Sequence, residues 1–433
     1  MLDTRLALID QGSFLGLRAL GHQPIFQGTW FYDRGVDLDA LGRFNESLAN
    51  TLVGRLIDTS PLPFGRHRWV GLDAVPPIEV ETAARDRSDV TAWLDEVALR
   101  PVDPEHGPGW RFAVLPLTDG GTVVTLYIPH ALGDGLCKLQ AIADAVRGDS
   151  RGPRYPLRDT GGRLKRFFTD LWSSVREFPT LGKALVGLVK AARSVTGSDA
   201  GTSAKTLPAP APHPYSEIRV VGVMLDQGDW DAAAAALGGT SNTLVQAFAA
   251  ALGQRIGRIG ADGKARLAIP VSVRTEDDTR ANALDSVTVP IDPAGLSGDI
   301  RPLRAATKKA LEALANSSHA MLAALPLTPY LPKALVRKTE ALAMGSNDVP
   351  IGCSNYGDVD ADLARIDGTD ASYFAARVVE PGMESTDYDR IGGSLYVLSG
   401  RLLGRIFLSA NVYKVGAALS DAEAQAEINS VLA

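Results

Sequence analysis

The chain has 433 residues, enough for two or three ordinary cores, so two lobes are expected. With 45% hydrophobic and 22% charged residues it has the make-up of a globular protein and not of a disordered one. A net charge of −6 gives no concentrated basic face, which argues against nucleic acid as a partner.

Two cysteines, Cys137 and Cys353, supply neither a disulfide framework nor a zinc-ligand spacing, so no metal is expected and a reducing compartment fits. Residues 1–22 lack the basic-then-apolar order of a signal peptide, since Arg5, Asp10 and Arg18 interrupt their apolar positions. No run of about twenty uncharged apolar residues occurs, and the expectation is a cytoplasmic protein without a spanning helix.

Along the chain, Val36, Leu38, Leu41, Phe44, Leu48, Leu52 and Leu56 recur at spacings of three and four, which predicts a helix over 36–56 capped by Asp37 or Asp39. Residues 65–70 and 110–117 read as short extended pieces. Residues 122–128 are rich in β-branched side chains between Gly120-Gly121 and Pro129, which predicts a strand. Leu136, Leu139, Ile142, Ala143 and Val146 then return to helical spacing, so the residues between lie on a strand-to-helix turn.

Residues 161–195 carry an apolar stripe of Leu164, Phe167, Phe168, Leu171, Trp172, Val175 and Phe178, broken at Pro179, together with seven basic and two acidic residues. Two readings stand: a peripheral membrane or anionic-substrate surface, which would leave the protein membrane-associated, or a helix packed on its own protein with a solvated basic face. Residues 197–214 are dense in Gly, Ser, Ala and Pro, the composition of a linker. The expected organisation is therefore an N-terminal lobe over 1–196, a linker over 197–214 and a C-terminal lobe over 215–433.

In the second half, strands are expected near 218–225, 266–274, 286–291, 351–355, 372–379, 394–399 and 402–410. Helices are expected at 230–237, at 241–256 with Ser241 as its cap, at 301–316, at 331–344 and from Asp421 onward. Strands and helices alternate, and the class is α/β (α+β).

Several devices are excluded by inspection: no G-x-S-x-G elbow, phosphate-binding loop or dinucleotide fingerprint occurs. Asp358-Val359-Asp360-Ala361-Asp362 imitates a calcium loop, but Leu363 stands where glycine is needed and Thr369 where a bidentate Glu belongs. His130 stands apart, in Pro129-His130-Ala131-Leu132-Gly133-Asp134-Gly135. Histidine takes and returns a proton near neutral pH, and a strand-to-turn position can aim its ring into a cleft. Gly133 and Gly135 permit a tight turn, and Asp134 is placed to be fixed by an arginine. Taken alone, such a His and Asp serve structure more often than chemistry. His22, His67, His106, His213 and His319 lack a comparable setting.

This His-x-x-x-Asp-Gly segment after a strand resembles the signature of the superfamily of chloramphenicol acetyltransferases, peptide-synthetase condensation domains and bacterial wax ester synthase/diacylglycerol acyltransferases. Further segments resemble the wax-ester-synthase branch in order: Pro108-Gly109-Trp110, Ser241-Asn242-Thr243, Pro270-Val271-Ser272-Val273-Arg274 with Asn282, and Cys353-Ser354-Asn355-Tyr356-Gly357. The chain departs from that pattern at Pro129, Gly109 and Thr243, which marks a specialised relative.

The resemblance implies a two-lobed chloramphenicol acetyltransferase-like fold with a channel between the lobes. An acyl thioester of CoA or of a carrier protein would enter from one side and a small hydroxyl acceptor from the other. His130 would be the general base, Asp134, Gly135 and Arg274 would brace it, and Ser354, Asn355, Asn242 and Trp110 are the candidate substrate contacts. No cofactor is implied beyond the thioester substrate. Two other readings stay open: a free-standing condensation enzyme joining carrier-bound intermediates, and a non-catalytic relative that binds a hydrophobic ligand or a carrier protein.

Overall fold

The computed structural model describes residues 3–151, 154–158, 162, 164–176, 218–316, 325–336, 349–417 and 419–433. In the first half, α1 (Leu8–Leu20) leads into β1 (Ile25–Tyr32), α2 (Leu38–Leu48), β2 (Arg55–Asp58), β3 (Arg68–Gly71), β4 (Ile78–Val80), α3 (Val90–Ala98), β5 (Arg111–Pro116), β6 (Thr122–Pro129) and α4 (Gly135–Arg147). Residues 164–176 form a further helix, α5. The second half contains β7 (Arg219–Asp226), α6 (Gln227–Ala236), α7 (Ser241–Arg255), β8 (Ala265–Ser272), β9 (Leu284–Ile291), α8 (Arg301–Asn316) and β10 (Ile351–Asp358). It ends with β11 (Tyr373–Val379), α9 (Ser385–Arg390), β12 (Ser394–Leu402), β13 (Arg405–Tyr413) and α10 (Asp421–Leu432).

Two large sheets organise these elements, each over its own core. The first runs β11-β1-β6-β5-β4 and the second β7-β13-β12-β10-β8-β9. Strand β6 is buried along its whole length because it lies inside its sheet, paired antiparallel to β1 and β5. Its near-continuous apolar run is what a strand covered on both faces requires. The first core collects Trp30, Phe112, Leu126 and Ile142, and the second collects Phe248, Leu267, Ile351 and Val397. The two halves are not separate beads: β11, from the second half, pairs with β1 and extends the first sheet.

Three helices, α1, α3 and the short α9, lie outside the elements that the spacing predicts. In α1 the buried face includes Asp10 and Gln11 beside Phe14 and Ala19, so the hydrophobic period is broken there. In α3 the signal is plain, with Val90, Trp93, Leu94 and Val97 buried at spacings of three and four. The helix expected over 36–56 ends at Leu48. The chain reverses at Gly54, where a Cβ would collide with the Ala49 backbone, and Leu56 enters strand β2.

Helix α5 attaches through polar side chains. Arg166 bridges to Asp58 at 2.6 Å, Ser60 donates to Asp170 at 2.6 Å, and Arg68 pairs with Asp170. Leu164, Phe168 and Trp172 point outward, so the expected buried apolar stripe is not formed in this segment, while Lys165 and Arg176 are exposed as expected. Its continuation past 176, the break at Pro179, the 197–214 linker and most of the helix expected over 331–344 lie outside the described residues. Among the described residues no helix is long and apolar enough to cross a membrane.

Candidate active site

His130 follows the last residue of β6 and opens a single 3-10 turn, His130–Leu132, before α4 begins at Gly135. Its backbone N–H donates to the Pro24 carbonyl at 3.0 Å, which ties the turn to the entry of β1. Burial pushes the imidazole down to about 4, with help from the Lys138 ammonium and against the Asp134 carboxylate and its own backbone. The ring is therefore unprotonated at neutral pH and able to accept a proton.

Asp134 is fully buried and caps α4, its Oδ1 accepting from the Cys137 N–H at 2.8 Å. Its Oδ2 accepts from Arg274 Nη2 at 2.7 Å and from the Ala283 N–H at 2.9 Å, and its own N–H donates to the Ala281 carbonyl at 2.8 Å. Arg274 also donates to the carbonyls of Asp278, Arg280 and Ala281, at 3.3, 2.9 and 2.9 Å. The Asp134–Arg274 pair thus fastens the 275–283 loop of the second half onto the His130 turn of the first.

A second carboxylate, missed in the sequence, holds the same loop. Asp10 of α1 accepts from the N–H groups of Ala281 and Asn282 at 2.9 and 2.7 Å, and from the Asn282 amide at 3.1 Å. Burial raises its pKa while these donors oppose the rise. Arg55, stacked over Trp69, adds a bond to the Thr279 carbonyl at 2.8 Å.

His130 lines a cavity of about 410 Å³ whose walls come from both halves, a volume in the range of small-molecule sites. Phe26, Leu136 and Lys138 contribute from the first half, and Pro270, Leu284, Ser354, Asn355, Tyr356 and Tyr396 from the second. Gly135 is required here by close approach, because a Cβ at that position would run into the Tyr356 ring.

Among the candidate substrate contacts, Ser354 and Asn355 line the cavity. Ser354 accepts a hydrogen bond from Tyr396 at 2.8 Å. Asn355 donates to Asn242 Oδ1 at 3.1 Å and accepts from the Gly357 N–H at 2.9 Å. Asn242 acts on the cavity through Asn355; the cap of α7 is Thr240, one residue before the expected Ser241. Trp110 is corrected: it is fully buried in the first core with its indole N–H donating to Asn45 at 2.9 Å, which removes it from the substrate contacts. Lys138 was also missed. It lies four residues after Asp134 and four before Ile142, on the buried face of α4, and a lysine at such a position was the available signal.

Neither a protein-family model nor a curated protein matches this chain. Solved structures do. The wax ester synthase/diacylglycerol acyltransferase from Marinobacter aquaeolei VT8 superposes with a TM-score of 0.55 at 16% identity, over 99% of this chain and 98% of that one. The condensation domain of the Monacolin K polyketide synthase gives 0.55 at 12% identity, over 100% and 96%. A nonribosomal peptide synthetase gives 0.54 at 17% identity over 99% of this chain, which spans only 44% of that larger protein. The chain therefore has the two-lobed chloramphenicol acetyltransferase-like fold shared by condensation domains and wax ester synthases.

Proposed function

We propose that this protein is an acyltransferase that moves an acyl group from a CoA or carrier-protein thioester to a hydroxyl acceptor, with His130 as general base. The observation that carries the reading is the place of His130 on the wall of a cavity built by both lobes, where burial favours the neutral imidazole. The acceptor oxygen attacks the thioester carbonyl carbon while its proton passes to His130. The C–S bond then breaks and the proton leaves with the thiol. Direct attack is favoured over a covalent enzyme intermediate because burial pushes the thiols of Cys137 and Cys353 up to about 11 and about 12, far from a reactive thiolate. Holding donor and acceptor in one cavity supplies acceleration through orientation. Asn355 is the candidate donor to the developing oxyanion, since its Nδ2 keeps a second hydrogen beyond the one given to Asn242. An amine acceptor would follow the same steps, and likeness to condensation domains supports the carrier-protein form of the donor.

The test is incubation of the protein and of His130→Ala with acyl-CoA and acyl-carrier donors and a mixture of alcohols, read by mass spectrometry. Acceptor-dependent release of thiol with an acylated product, lost in the variant, is the expected result. Product formation that is unaffected by His130→Ala would remove the general-base assignment. Turnover of carrier-bound donors alone would fix the donor class.

A further inference from the structure

Lys138 has no place in the acyl-transfer steps, yet it occupies the same cavity as His130. Its side chain is only 1% exposed, and Nζ stands 5.8 Å from the centroid of the Phe26 ring on the cavity wall. Among the described residues no hydrogen bond or ion pair reaches that nitrogen. The Asp134 carboxylate favours its charge, but the oxygens of Asp134 are already taken by Cys137, Arg274 and Ala283. Nζ is not among the fully enclosed polar atoms that lack a partner, so in an otherwise buried side chain it opens onto the cavity with only the Phe26 ring beside it, where an ammonium is placed to meet a group that arrives with the substrate.

The surrounding wall narrows the chemistry of that partner. No Asp or Glu lines the cavity, Lys138 is its single lysine or arginine among the described residues, and Phe26, Leu136, Leu284 and Val378 make much of the rest apolar. A single ammonium matches a monoanion, whereas phosphate groups are held by several donors or by a guanidinium fork. We propose that Lys138 anchors a carboxylate carried on an apolar segment of one of the two substrates, making this an enzyme for acids rather than for neutral lipids. The assignment rests on the acyl-transfer reading for the chemistry, and on the cavity alone for the binding. Lys138 is a specificity residue under this proposal, and His130 remains the base.

Two matched pairs separate the sources of the carboxylate. Suberyl-CoA is compared with its ω-methyl ester as donor, and 8-hydroxyoctanoate with its methyl ester as acceptor, in the wild type, Lys138→Met and Lys138→Arg. The wild type should favour the acid of one pair by about tenfold or more in kcat/KM, chiefly through KM, as expected for a charged hydrogen bond. Lys138→Met should erase the preference and Lys138→Arg should keep part of it. The pair that responds identifies donor or acceptor. Equal handling of acid and ester by the wild type, or a preference that survives Lys138→Met, overturns the proposal.

If no pair turns over, the same four compounds are titrated calorimetrically into the wild type and Lys138→Met. Acid-selective binding that needs Lys138 then keeps the anchor and discards acyl transfer. Absence of acid-selective binding discards the anchor.

Discussion

Replacing Lys138 with methionine should make the protein more stable, and the gain should depend on pH in a fixed direction. Burial lowers the Lys138 ammonium from the ordinary lysine value of 10.5 to about 7. Between those limits the unfolded chain binds a proton that the folded chain does not, so wild-type stability rises with pH from about 7 to 10.5. Below pH 7 the full penalty is present, and the difference between the two values corresponds to about 5 kcal/mol, taken as an upper bound because water entering the cavity would soften it. Methionine preserves an unbranched apolar stem next to Phe26 and carries no charge, so packing changes little. Urea denaturation of wild type and Lys138→Met at pH 6.5 and at pH 9.5 measures the effect. The variant should be more stable by a few kcal/mol at the lower pH, with the advantage shrinking at the higher one. A variant that is less stable at pH 6.5, or a gain that does not vary with pH, would refute the reasoning: the ammonium would then be satisfied in the empty protein, and the case for an incoming carboxylate would weaken with it.

Asp134→Ala removes three accepted hydrogen bonds and leaves the Arg274 guanidinium buried without its carboxylate. A loss of about 3–5 kcal/mol is expected in chemical denaturation, together with loss of turnover. The acid limb of kcat/KM should lie well below the ordinary histidine value of 6.5, because the base must be unprotonated and His130 sits at about 4. Rate measurements from pH 4.5 to 8 check this, and Lys138→Met should move the limb upward by removing a nearby positive charge. Gly135→Ala drives a methyl group into the Tyr356 ring, and a destabilisation of about 1–3 kcal/mol with reduced turnover is expected from melting curves and kinetics.

The parts of this site that lie within a few residues of one another were legible in the sequence. His130, Asp134 and Gly135 form one strand-to-helix turn, and the strand before it announces itself by β-branched residues between glycines and a proline. Arg274 was reachable only through resemblance, since it meets Asp134 across 140 positions of chain. Lys138 shows why the remainder was hidden. A lysine on the apolar face of a helix is visible in a pattern, but whether it snorkels to water or ends in a cavity is decided by Phe26 and by strands from the other lobe. Asp10 was hidden for the complementary reason: it reads as an interruption of an apolar stretch until its three donors on the 281–282 segment are seen. The early end of α2 has a simpler cause. Leu52 and Leu56 satisfy helical spacing by coincidence, and the turn at Gly54 is fixed by close backbone approach that spacing does not record.

The electrostatic plan of the site also separates it from a catalytic triad. In a triad the carboxylate orients the imidazole and stabilises its charged form, which raises the basicity of the ring. Here the oxygens of Asp134 are spent on the α4 cap, on Arg274 and on Ala283, so its work is to hold the 275–283 loop against the His130 turn. Asp10 and Arg55 repeat that work from two other elements of the same lobe. The imidazole is left in a setting dominated by burial and by a neighbouring ammonium, both of which favour its neutral form. As the proposed base, such an imidazole would be weak but always available, and it would gain strength when negative charge enters the cavity. A substrate carboxylate at Lys138 would supply that charge, so binding of the acid and activation of His130 would be linked through one electrostatic interaction.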